Sequence, residues 1–77
     1  MRADDIRRLL RRPFRPFRFY VLETTSYEVH HPDYLLVSQS TMTLYWPRTL
    51  GGPSVFERSV TIALLHVSKY EFLPPNN

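Results

Sequence analysis

The chain has 77 residues, no cysteine, 43% hydrophobic and 14% aromatic residues, and a formal net charge of +3. A chain this short buries only about 60% of the surface it exposes when unfolded, so it forms one small domain with a marginal core. Without cysteine it has no disulfide and no thiolate for catalysis or zinc, its apolar content excludes disorder, and no apolar run approaches the roughly 20 residues of a membrane helix.

The charge is unevenly placed. Residues 1–18 hold seven arginines against Asp4 and Asp5, a net +5, whereas residues 19–77 hold three basic against five acidic side chains, a net −2. Such asymmetry points to an anionic partner or to an acidic patch on a neighbouring subunit. The first residues include Arg2, Asp4 and Asp5 and lack the apolar centre of a secretory signal, so a cytoplasmic location is expected.

Residues 3–12 are predicted to be a helix. Ile6, Leu9 and Leu10 form one stripe, and Arg7, Arg8, Arg11 and Arg12 occupy the rest of the circumference. Asp4 and Asp5 suit the positive end of the helix dipole, and Pro13 stops the helix because the residue before a proline avoids helical geometry. About ten residues do not hold a helix alone in water, so the apolar stripe is expected to dock on a sheet. Pro13 to Phe17 is an extended connector, formally a P-x-x-P pattern of the kind partner domains bind, with Phe14 and Phe17 pinning the helix down.

A strand is predicted from Phe17 to Glu23, with Phe17, Phe19 and Val21 on one face and Arg18, Tyr20 and Leu22 on the other. Thr24 to Ser26 is the expected turn, without the glycine usual in tight hairpins, and Tyr27 to His30 the second strand. Pro32 cannot donate to a ladder, so the sheet bends there. Extended structure resumes from Tyr34 to Ser38, and another strand is predicted from Met42 to Trp46. A loop from Pro47 to Pro53 carries Gly51 and Gly52. The longest β-favouring stretch, Ser59–Leu73, follows with a kink at His66, and residues 74–77 are a tail.

A helix followed by about five strands, the second sharply bent, is the order of an SH3-like small barrel. The layout of residues 4–73 resembles the Sm-like (Hfq-type) family. The residues carrying the likeness are Phe17–Glu23 with Tyr27–Val29, in the place of that family's opening hairpin, and Ile62–Tyr70, which resembles its late strand and His-containing turn. The resemblance implies a homo-oligomeric ring and an RNA site to which His66 and Lys69 contribute. The family's hairpin glycine and a lysine directly before His66 are absent. The Arg11–Phe17 opening and the His31-Pro-Asp33 step also resemble a set of short bacterial proteins of unknown function.

All seven basic residues of the first 18 are arginine, and arginine is preferred for bidentate phosphate contacts. Arg7, Arg8, Arg11, Arg12, Arg15 and Arg18 are therefore the candidate nucleic-acid residues, with Phe14, Phe17, Tyr20 and Tyr27 as candidate stacking surfaces. A merely solvated, solubilising helix face is the alternative, and an acidic protein surface the alternative partner. His30 and His31 are adjacent on a strand and point to opposite faces, which argues against one metal site and for one packed and one exposed ring. Asp33 is expected to shape the following turn. Tyr45, Trp46, Tyr70 and Phe72 are candidate subunit-contact residues. Catalytic motifs are missing: no G-x-S-x-G, H-E-x-x-H or phosphate-cradling loop occurs. The expectation is thus an all-β, non-enzymatic, five-stranded barrel with an N-terminal helix. It needs no cofactor or metal and binds RNA or an acidic protein while self-associating through its sheet edges.

Overall fold

A computed structural model describes residues 1–47 and 56–75. The chain is mainly β, with one short helix, α1 (Ala3–Leu9), and six strands: β1 (Phe17–Val21), β2 (Thr25–Val29), β3 (Leu35–Val37), β4 (Thr41–Pro47), β5 (Phe56–Ala63) and β6 (Val67–Phe72). They form two antiparallel three-stranded sheets, ordered β2-β1-β6 and β3-β4-β5. The expected loop at Pro47–Pro53 lies outside the described residues beyond Pro47, as does the tail beyond Pro75.

The alternation along the strands builds the core. Phe17, Phe19, Met42, Leu44, Ile62 and Leu64 point inward and are buried, joined by Val29, Leu35 and Val67. Helix α1 closes this core with the expected stripe: Ile6 is fully buried and Leu9 and Leu10 pack beside it. Phe14 meets Phe17 edge-on at 6.1 Å, holding the connector against the sheet.

Two differences from the expected barrel have local causes. Six strands replace five because the bent second strand divides into β2 and β3, while the kink at His66 separates β5 from β6. At Pro32 the missing N–H ends the ladder, and Pro32–Tyr34 becomes a 3₁₀ turn between β2 and β3. At Leu64 the backbone N–H donates to Ser40 O (2.9 Å) in the same register as Thr41↔Ala63, and beyond that last ladder bond Leu64–His66 becomes a second 3₁₀ turn. The result is two separate sheets rather than a closed five-stranded barrel. The helix is also shorter than residues 3–12: Leu10 and Arg11 N–H groups donate to Arg7 and Arg8 carbonyls, three residues back, tightening the end before Pro13. At its start the Asp5 carboxylate accepts from the Arg2 backbone N–H (3.2 Å), half of a capping box.

The first hairpin turns earlier than expected. Thr24 N–H donates to Val21 O (3.2 Å), and the central residues Leu22 and Glu23 have φ of 52° and 65°. Two successive positive φ values make a type I′ turn, whose twist matches paired strands. Neither residue is the glycine or asparagine that geometry favours, so the turn carries strain. Its position sets the register Arg18↔Glu28.

Candidate nucleic-acid interface

The outer face of the β2-β1-β6 sheet is charged. Arg18, on the central strand, stands opposite Glu28 on β2 and Glu71 on β6. Its Nη2 donates to Glu28 Oε2 (2.6 Å) and its Nη1 to Glu71 Oε1 (2.9 Å). The Tyr20 hydroxyl donates to the same Glu71 oxygen (2.6 Å), and Lys69 Nζ lies 4.7 Å from the Tyr20 ring centroid. Beside them His30 Nε2 contacts Glu28 Oε1 (3.0 Å). Hydrogen bonds from Arg18, then from His30, hold the Glu28 carboxyl below its ordinary range. The Tyr20 hydroxyl, then Arg18, does the same for Glu71. The Arg18 guanidinium is raised still further by Glu28, Tyr20 and Glu71.

This network engages Arg18, one of the expected phosphate ligands. Its guanidinium is spent on two carboxylates of its own sheet, and a phosphate would have to displace both. Arg7 and Arg8 are less committed. Arg7 lies 3.3 Å from Asp4 and Arg8 3.7 Å from Asp5, but these pairs are exposed and one helical turn apart, where a salt bridge contributes little. Arg11, Arg12 and Arg15 make no ion pair among the described residues, and Arg11, Arg12 and Arg15 are exposed. The Arg15 guanidinium lies 4.2 Å over the Phe72 ring, and Tyr70 meets Phe72 edge-on at 5.8 Å. Arg15 and two exposed aromatic rings therefore share one end of the sheet. A groove of about 520 Å³ opens there, with Arg15, Arg18, Glu28 and His30 on its polar side and Pro16, Leu73, Pro74 and Pro75 on its apolar side.

His66 is not part of this cluster. It is exposed in the second 3₁₀ turn, and its carbonyl accepts from Leu22 N–H (2.9 Å) at the other end of β1. Five strand residues separate the two ends, a span of roughly 16 Å. Lys69 is on the charged face with Tyr20.

His30 and His31 depart from the expected one-in, one-out arrangement. Strand β2 ends at Val29, so alternation stops and both rings are exposed. The turn at Pro32 is shaped by His31 rather than by the Asp33 side chain: His31 Nδ1 accepts from the Asp33 backbone N–H (3.1 Å). Among the described residues no three His, Asp or Glu side chains are grouped to hold a metal. Trp46 is half-buried, lies 5.9 Å from Tyr27 and under Arg58 (5.1 Å), and packs on the core; Tyr45 alternates to the opposite, outer face of β4. Tyr70 and Phe72 are 41% and 42% exposed on β6.

Glu28, Glu71, the hydrogen bond of Tyr20 to Glu71 and the proline-walled groove were not anticipated from the sequence. A hairpin centred on Glu23 would have set Glu28 opposite Arg18, since residues 18 and 28 are equidistant from that centre. No helix among the described residues is long and apolar enough to cross a membrane. No family model, no curated protein and no solved structure matches this chain.

Proposed function

We propose that the chain is a non-enzymatic module that binds single-stranded nucleic acid, RNA in the first instance, with the phosphates on Arg11, Arg12 and Arg15 and supplementary contacts from Arg7 and Arg8. The two sheets are taken as the halves of one SH3-like, Sm-like small barrel. In support, β2 joins β3 and β5 joins β6 through single 3₁₀ turns, as a bent second strand and a kinked late strand require.

The observation that carries the proposal is the placement of Arg15 over the exposed Phe72 ring, with Arg11 and Arg12 shortly before it in the chain, exposed and without an acidic partner among the described residues. Guanidiniums in water beside an exposed ring suit a strand whose backbone is anionic and whose bases stack. Arg18 takes a structural part, holding β2 and β6 to β1.

Fluorescence anisotropy with a labelled single-stranded RNA tests this. Binding should weaken steeply with salt, and replacing Arg11, Arg12 and Arg15 by alanine should reduce the slope of log K against log[salt] by about 2, from roughly 0.7 per lost phosphate contact. No binding at low salt, or an unchanged slope in the triple variant, refutes the proposal. The first outcome leaves an acidic protein surface as the partner of the basic segment.

A further inference from the structure

Strand β6 has β1 on one side and no described strand on the other. Leu73 N–H donates to Pro16 O (3.0 Å), and bonding in an antiparallel ladder alternates residue by residue. Glu71 and Lys69, opposite Arg18 and Tyr20, therefore bond to β1. The N–H and C=O groups of Tyr70 and Phe72 point off the sheet. An edge with free backbone groups and exposed aromatic side chains is a template for another strand.

We propose that β6 pairs antiparallel with β6 of a second copy about a two-fold axis at Tyr70, making one six-stranded sheet from two three-stranded ones. The charge pattern selects both the partner and the register. With Tyr70 opposite Tyr70, Lys69 of each copy stands opposite Glu71 of the other, and opposite charges across a ladder attract. Moving the axis to Lys69 or Glu71 sets like charges face to face. Moving it to Ser68 or Phe72 leaves both charges unmatched.

The two side chains are available. Arg18 and Tyr20 both use Oε1 of Glu71, and no described contact takes Oε2. Lys69 rests on the Tyr20 ring without an ion pair among the described residues. A strand that complements itself is what a two-fold interface requires. The inference rests on the edge of β6 and not on nucleic-acid binding; Arg15, lying over Phe72, would flank the seam from each copy.

The decisive experiment uses the absence of cysteine. In Tyr70→Cys the two sulfurs face each other across a hydrogen-bonded pair with Cα atoms about 5.5 Å apart, a distance a disulfide spans. Mild oxidation should convert it to a covalent dimer much faster than a Leu22→Cys control, whose site is exposed at the opposite end. Equal rates overturn the proposal.

Sedimentation supplies a second measurement. Lys69→Glu and Glu71→Lys alone should each weaken self-association by about ten-fold or more, and an equimolar mixture should restore it, because each variant then faces its complement. Tyr70→Pro removes an edge N–H that β1 does not use, so it should give a folded monomer by circular dichroism. A wild-type chain that stays monomeric at high concentration, or closes into a ring of more than two copies, overturns the two-fold pairing.

Discussion

Replacing Glu23 by glycine should stabilise the protein, and the turn geometry sets the size of the effect. Glu23 sits at φ 65° in the β1–β2 turn, a conformation that costs an L-residue roughly 1–2 kcal/mol. Its side chain is exposed and makes no hydrogen bond or ion pair among the described residues, so the substitution sacrifices no contact. Glycine adopts the same φ without penalty but loses about 0.5–1 kcal/mol more backbone entropy on folding. The difference leaves Glu23→Gly more stable by about 0.5–1 kcal/mol. For a domain of this size that raises Tm by about 2–8 °C. Glu23→Val should move the other way by about 1 kcal/mol or more, because a β-branched side chain tolerates positive φ least. Thermal unfolding at neutral pH, followed by circular dichroism, measures both. A Glu23→Gly protein no more stable than wild type, with Glu23→Val equally unaffected, would refute the strained turn and the Arg18–Glu28 register built on it.

The carboxylates on Arg18 predict an acid limb. Glu28 and Glu71 titrate below their ordinary range when folded, so their contribution is complete above the unfolded value of about 4.3 and is lost as pH falls through the lowered folded values. Arg18→Met should flatten Tm as pH falls below the ordinary glutamate value of about 4.3; an acid limb as steep as wild type argues against the network. The neighbouring leucines of the second 3₁₀ turn should behave oppositely. Leu64 is 3% exposed and Leu65 79% exposed, so Leu64→Ala should cost about 2–5 kcal/mol and Leu65→Ala about 0.5 or less in urea unfolding. Ile6→Ala should likewise cost about 2–5 kcal/mol, and faster amide exchange in α1 and β3, which it joins, would locate the loss. Equal effects at Leu64 and Leu65 would contradict the inward turn of the chain at Leu64.

Period-two alternation made the inward face of β1, with Phe17 and Phe19, legible, and the Ile6/Leu9/Leu10 stripe made the docking of α1 legible. Both are local patterns that follow from backbone geometry alone. The hairpin was legible as a hairpin but not in register. Leu22 and Glu23 carry no turn chemistry, so Thr24 to Ser26 looked the better corner; a turn centred there would have set Arg18 opposite Pro32 rather than Glu28. Arg18 therefore read as a free phosphate ligand. The two histidines misled for a related reason: alternation holds only while a strand lasts, and β2 ends at Val29.

From the order of its residues the chain determined that it is mainly β, that one short amphipathic helix covers the core, and that its positive charge is gathered at one end. Tertiary structure alone decided which arginines remain available. Cross-strand neighbours are set by register, and register depends on the energy of one strained turn and two interrupted ladders. That is why Arg18 is bound between Glu28 and Glu71 while Arg11, Arg12 and Arg15, beyond the last paired residue of β1, stay in water.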